Sequence, residues 1–387
     1  MMIPLSKPDI NEEDVKVVVE VLKSGRLSMG PYTERFEKAI SEYMNAKHGV
    51  AVSSGTAGLH LVLKAMGVER GDYMIVPSFT FVASANVALY EGVIPLFVDV
   101  EEETLNVSKD SLEDLLIRIK KGKVKILDEV VDPNKVKYFM GVDIFGHPLD
   151  WDEILEVTNE WGLEVLEDSC EALGAEYKGK RVGKFGLAGV FAFYPNKQIT
   201  TGEGGVVVTD DESIAKLVRS MRNQGRGEEN EWLLHVRLGY NYRIDEMSAA
   251  LGYSQMLRID EILEKRKKVA ENYNELLKDY EWVKTPSVKE YVTRMSWFVY
   301  VIRLSPDVNR DKVMRYMEEK GVQVRNYFQP LHLQPFYRRT FGYDEGMLPI
   351  TEEESKKTLA LPFYNDLSLD EQKVVVETLR EAVERVG

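Results

Sequence analysis

The rhythm of apolar and polar positions changes along this chain, and the change separates two textures. Short apolar runs stand at Gly49–Ser53, Tyr73–Val76, Ile94–Val98, Tyr138–Asp143, Glu164–Glu167, Gly189–Ala192 and Gly205–Thr209. Their length, and the Gly, Pro and Ser residues that bound them, predict buried strands. Glu12–Lys23 opens the chain as a helix, and Ala57–Met66 and Ser84–Tyr90 lie between runs with helical patterns. Strands alternating with helices predict an α/β sheet domain.

Past Ser254, Met256, Ile259, Leu263, Ala270, Tyr273, Leu277 and Tyr280 recur at spacings of three and four, with Arg266 in one apolar slot. That periodicity predicts one long amphipathic helix. A strand at Trp297–Leu304 and helices at Arg310–Lys320 and Ser368–Arg385 follow, completing a smaller α+β unit. The expected division is 1–255 and 256–387. Arg118–Lys137 is charged and carries a proline, so it reads as a surface excursion.

At 387 residues the chain exceeds the roughly 250–300 at which one core stops growing, which agrees with two units. A net charge of −14 weighs against nucleic acid and anionic membranes as partners. The single cysteine, Cys170, excludes an intrachain disulfide and a multi-cysteine metal site, and fits a reducing, cytoplasmic setting. The first residues lack the apolar core of a secretory signal. Five scattered histidines show no ligand spacing, so no metal site is expected.

The chemistry concentrates between Leu163 and Asp211. Asp168 follows the apolar pair Val165–Leu166, at the carboxyl end of a strand, where open α/β sheets bind ligands. Lys197 follows Phe191–Ala192–Phe193 and precedes the turn Thr201–Gly205. A lysine at such a turn suits use as an amine nucleophile, although a lone lysine is more often a solvated charge. In Ser53–Gly67 a small-residue turn opens an apolar helix, so free amides and the helix dipole there suit a phosphate. Capping alone explains many such turns. Arg222, Arg226, Arg237 and Arg243 lie among acids and read as a solvated loop.

In order, the phosphate-type turn, SFTFVASANVALYEGVIPLFVDV, EDSCEALGA, FAFYPNKQITTGEGG and GYNYRIDEMSAALG resemble the DegT/DnrJ/EryC1/StrS family of sugar aminotransferases, enzymes of fold-type I that use pyridoxal 5'-phosphate (PLP). LSKPDI, SGRLSMGP, YFQPLHLQPFY and LPFYNDLS extend the likeness over nearly the whole chain. The resemblance implies a large, mostly parallel-sheet domain, a smaller C-terminal domain, and PLP held on Lys197 as a Schiff base. Asp168 would pair with the pyridine nitrogen, Phe81 would stack on the ring, and Glu171 would approach the ring hydroxyl. Gly55 and Thr56 match the phosphate turn. Asn241 matches an asparagine that reaches the phosphate from the neighbouring subunit, which implies a homodimer with shared active sites. The implied reaction moves an amino group, with glutamate as donor, onto a keto-sugar carried by a nucleotide.

Two positions depart from the family pattern. Ala192 stands where many members carry a serine that bonds the phosphate, and Asp143 where many carry histidine. Two alternatives stay open. A PLP-dependent sugar dehydratase of the same family would have histidine in place of Lys197, which speaks against it. A non-catalytic regulatory protein that binds PLP or a sugar nucleotide would have less need of Lys197, Asp168 and Phe81 together.

Overall fold

The computed structural model describes residues 2–227 and 233–387. Seven strands form the main sheet: β1 (His48–Val52), β2 (Tyr73–Pro77), β3 (Ile94–Val98), β4 (Val136–Val142), β5 (Glu164–Asp168), β6 (Ala188–Ala192) and β7 (Gly205–Thr209). Their spatial order is β1-β7-β6-β5-β4-β2-β3. All pairings are parallel except the two made by β7, which is antiparallel to both β1 and β6. Six strands therefore point one way, and their carboxyl ends lie along one edge of the sheet. The strands are buried on both faces, which explains why they read as continuous apolar runs rather than alternating ones.

The remaining early helices are α1 (Glu12–Ser24), α2 (Pro31–Tyr43), α3 (Gly55–Ala65) and α4 (Ala83–Tyr90). α3 is apolar almost all round, and eight of its eleven residues are buried, so it runs through the interior against the sheet. A second apolar cluster gathers Tyr273, Tyr300, Val313, Leu359 and Leu379 around a small antiparallel sheet of Val283–Lys284, Tyr300–Leu304 and Thr358–Leu361. Ile3 joins that cluster and bridges Val322. The expected excursion is narrower than 118–137, because residues 118–120 end the helix Lys109–Lys120 and 136–137 begin β4; between them the chain forms a short hairpin, Lys125–Ile126 with Glu129–Val130.

Three further expectations need correction. The amphipathic stretch after Ser254 is two helices, Glu246–Met256 and Ile259–Leu277. Arg258 leaves helical geometry at φ −125° and ψ 21°, and its guanidinium binds Asp9 and Asp14 at 2.9 and 2.8 Å, tying the break to the N-terminal segment. The strand expected from Trp297 begins at Tyr300. Trp297 is left-handed at φ 52°, and buried Arg266 donates to the carbonyls of Trp297 and Phe298 at 2.7 Å each, taking them out of the ladder. These bonds also explain an arginine in the apolar stripe. Arg222 is buried rather than solvated, paired with Glu37 and donating to the Ala51 carbonyl.

No helix among the described residues is long and apolar enough to cross a membrane.

Candidate active site

Strand ends bring the predicted residues together. β5 and β6 are parallel neighbours, so Asp168 and the turn after Ala192 emerge side by side, while Phe81 follows β2 and the Ser54–Thr56 turn follows β1. A cavity of about 680 Å³ opens there, lined by Lys197, Asp168, Glu171, Gly55, Thr56 and Phe81.

The lysine turn is held from several sides. Lys197 N donates to the Tyr194 carbonyl at 2.9 Å and Thr201 N to the Phe193 carbonyl at 3.0 Å. Next door, Gln198 donates to the Glu171 carbonyl at 2.6 Å and to Ser296 Oγ at 2.9 Å. Lys197 Nζ thus lies 3.6 Å from Glu171 Oε1 and 3.8 Å from the centre of the Phe298 ring. Glu171 is itself fixed, because Oε2 accepts from Phe145 N at 2.9 Å. Burial pushes the Glu171 carboxyl above the ordinary range, against the opposing pull of Lys197.

Asp168 is nearly covered, and both its oxygens are engaged. Ser84 Oγ donates to Oδ2 at 2.6 Å and Cys170 N to Oδ1 at 3.2 Å. Ser84 comes from the first turn of α4 and contacts Thr80 Oγ1 at 3.1 Å. Cys170 is half-buried and lines the cavity, and burial pushes its thiol up.

At the start of α3, Ser54 caps the helix: its hydroxyl accepts from Ala57 N at 3.1 Å and its carbonyl from Gly58 N at 3.1 Å. The amides of Gly55 and Thr56 precede those bonds, at the positive end of the helix dipole and on the cavity wall. Gly55 is required by space. A Cβ there would sit 2.7 Å from Ala192 Cβ and 2.8 Å from Cys170 Sγ. The residue that departs from the family serine is thus packed directly against the turn.

An acid, a lysine and a helix N-terminus around one cavity form a donor set that fits PLP. Toward such a cofactor Lys197 would offer an amine, Asp168 an anion that suits a protonated pyridine nitrogen, and Gly55 and Thr56 amides that suit a phosphate. The match of the DegT/DnrJ/EryC1/StrS aminotransferase family model over residues 8–380 decides the matter. The chain belongs to this family. It is similar to GDP-perosamine synthase of Escherichia coli O157:H7, 32% identical with 98% of each chain covered. Among solved structures, Helicobacter pylori PseC, an aminotransferase involved in pseudoaminic acid biosynthesis, superposes with TM-score 0.90 at 26% identity, covering 99% of this chain and 100% of that one. The PLP form of a putative sugar aminotransferase, Spr1654 of Streptococcus pneumoniae, superposes with TM-score 0.89 at 26% identity over 100% of both chains. The expectations of fold-type I architecture, PLP as cofactor and a sugar aminotransferase are thereby met.

Asn241 stands apart. It is exposed, lies in an extended segment that bridges Asn223, and does not line this chain's cavity. The cavity also draws on residues the sequence did not single out, namely Tyr194, Asn196, Glu203, Phe298 and Arg325–Phe328. Asn196 and Glu203 flank the lysine motif and were within reach of its signal. Phe298 and Arg325–Phe328 come from the C-terminal part, where only the tertiary fold makes them neighbours.

Proposed function

We propose that this aminotransferase uses Lys197, Asp168, Glu171, Phe81, Gly55, Thr56 and the neighbouring subunit's Asn241 to transfer an amino group from glutamate to the keto carbon of a nucleotide-activated sugar. The single observation that carries the reading is the cavity that brings Lys197 and Asp168 together with the α3 N-terminus. PLP, when bound, supplies an electron sink for the substrate carbon. Asp168 presents its carboxylate to the pyridine nitrogen, oriented by Ser84 and the Cys170 amide. Lys197 would hold the cofactor covalently through Nζ, and displacement by the donor amine would leave Nζ free. That free amine would relay a proton from the donor's α-carbon to the cofactor carbon in the first half-reaction, and from the cofactor carbon to the sugar carbon in the second. Glu171, braced by Phe145 N and 3.6 Å from Nζ, keeps that amine within reach of the reacting atoms and would balance the charge it gains on taking up a proton. The Gly55 and Thr56 amides grip the phosphate, and the exposed rim residue Phe81 covers one ring face.

The shared site has its own support. Leu233, Leu234, Val236 and Leu238 are all at least 43% exposed and lead directly to Asn241, while Val15, Val19 and Leu22 form an exposed stripe on α1. Apolar groups in such number on the approach to a polar residue suit burial against a second copy of this chain. Asn241 then adds a neutral donor where Ala192 offers none. The domain division at 255/256 belongs to the same proposal; the cluster around Tyr273, Tyr300 and Leu379 supports a smaller C-terminal unit, while Ile259, Leu263, Phe298, Val299, Leu331 and Leu348 contribute side chains to the clusters of the main domain.

The test is to incubate the purified enzyme and PLP with 15N-glutamate and a panel of nucleotide keto-sugars, followed by mass spectrometry. One amino-sugar nucleotide carrying the label is the expected product. Label transfer only to 2-oxo acids would refute the sugar acceptor, and no transfer to any acceptor, with glutamate or with other 15N-labelled amino acids in its place, would favour a regulatory protein.

A further inference from the structure

Beside the cavity, but outside it, lies a buried polar cluster that the transamination does not use. His60, on α3, is 3% exposed. Its Nε2 lies 2.8 Å from Glu91 Oε1, and its Nδ1 lies 3.2 Å from the Tyr242 hydroxyl. Lys64, one turn further along α3, donates to Glu91 Oε2 at 2.7 Å, and the Tyr240 hydroxyl donates to Glu91 Oε1 at 3.2 Å. Glu91 therefore collects three donors, which identifies it as the ionised acceptor and His60 Nε2 as protonated. Nδ1 is then left to accept from Tyr242.

The rings are packed as closely as the polar atoms. Tyr240 and Tyr242 stack at 5.0 Å and 15°, and His60 meets them edge-on at 4.8 and 5.8 Å. Tyr90 closes a further side at 5.2 Å. The backbone is pinned as well. Tyr240 N donates to the Met221 carbonyl, Tyr242 N to the Arg222 carbonyl, and Ser53 N to the Tyr242 carbonyl, at 2.6, 2.9 and 2.8 Å.

Residues 240, 241 and 242 are consecutive in an extended segment, where side chains alternate between faces. With both tyrosines turned inward onto His60 and Glu91, the residue between them faces outward, and Asn241 is indeed exposed. α3 thus begins with the chain's own phosphate turn and, one turn later, fixes the segment that faces away from it.

Resting on the shared-site reading above, we infer that His60 and Glu91 are positioning residues for the partner's active site: they clamp Tyr240 and Tyr242 so that Asn241 is presented, preordered, to the cofactor phosphate of the second subunit. An asparagine on a loose loop would lose ordering entropy on each binding event, whereas one flanked by two locked rings does not. His60 and Glu91 touch neither cofactor nor substrate, and they act through Asn241 alone.

A double-mutant cycle on PLP affinity tests this. Apo-homodimers of wild type, Asn241→Ala, Tyr242→Phe, His60→Gln and the two corresponding doubles with Asn241→Ala are titrated with PLP by its absorbance. Sedimentation confirms that each is dimeric. Asn241→Ala is expected to weaken PLP binding by about 12- to 150-fold, the effect of one bond to a charged group. Tyr242→Phe removes one hydroxyl and keeps the stacked rings, so it tests the clamp even if His60→Gln fails to fold. It should weaken binding about two- to twelvefold, the range for one neutral bond. In the Asn241→Ala background neither change should weaken PLP further, because the residue they act through is gone. A merely structural role would instead give the same penalty in both backgrounds, and that result overturns the inference while leaving the shared site standing. Loss of affinity absent from Tyr242→Phe in the native background also overturns it. If Asn241→Ala itself binds PLP normally, the shared-site reading fails, and this inference fails with it.

Discussion

Replacing Asp168 by Asn isolates the charge in the electron-sink argument, because the surroundings allow the substitution without disturbing the fold. Oδ1 accepts from the Cys170 amide and Oδ2 from the Ser84 hydroxyl. An asparagine can keep its carbonyl oxygen toward Cys170 N and turn its amide toward Ser84. The Ser84 hydroxyl then accepts from it and donates to Thr80 Oγ1, 3.1 Å away. Every hydrogen bond survives in altered polarity, and only the negative charge is lost. An opposite charge in contact moves a partner's pKa by about 1–3, here that of the pyridine nitrogen. Asp168 is only 6% exposed, so water screens the interaction little. The loss corresponds to about 1.4–4 kcal/mol of stabilisation for the developing carbanion, or a rate about 10- to 1,000-fold lower. The assay is single-turnover reaction of the PLP-loaded enzyme with glutamate, followed by stopped-flow absorbance. Cofactor occupancy and melting temperature should stay near wild type while the rate falls. A variant that is fully loaded and reacts within twofold of wild type would refute the pairing of Asp168 with the ring nitrogen.

Borohydride reduction of the holoenzyme should fix the cofactor on Lys197, as read by peptide mapping, and Lys197→Ala should abolish turnover with little change in thermal stability; label on another lysine would refute the assignment. Mixing Lys197→Ala with Asn241→Ala homodimers under subunit exchange should restore activity, since each hybrid would contain one doubly damaged and one intact site; verified hybrids no more active than their parents would reject shared sites. Asp143 is buried, accepts from Leu149 N and Trp151 Nε1 through Oδ1 and from Ser169 Oγ through Oδ2, and burial raises its pKa to about 7. Because the folded state holds this proton more tightly than the unfolded chain, the contribution is fully present below about pH 3.8 and is lost as pH rises to about 7, by about 1.4 kcal/mol per pH unit. Asp143→Asn retains the bonds without the titration, so its melting temperature should gain on wild type between pH 4 and 7 and hold that gain above; a difference independent of pH would refute the assignment.

The local pattern alone determined most of the sheet. All seven main strands were legible as apolar runs, and Gly205–Thr209 coincides with its run end to end, because a strand buried on both faces needs no partner information to be recognised. The ends of those strands also marked Asp168, Lys197 and the Gly55–Thr56 turn, because ligand sites in such sheets lie at carboxyl ends. Tertiary structure decided the rest. The reversed direction of β7 leaves no trace in its own composition, since Val206–Val208 would be equally apolar in either sense. The break at Arg258 follows from carboxylates almost 250 positions earlier in the chain, at Asp9 and Asp14, and the late start of the Tyr300 strand follows from Arg266 gripping two carbonyls. Ser84 against Asp168, Phe298 under Lys197 and His60 behind Asn241's neighbours are all long-range pairings. Periodicity and turn chemistry act over a few residues, so they determine which elements form and which ends carry chemistry. Which distant side chain orients each group of the candidate site depends on packing that only the folded chain brings about.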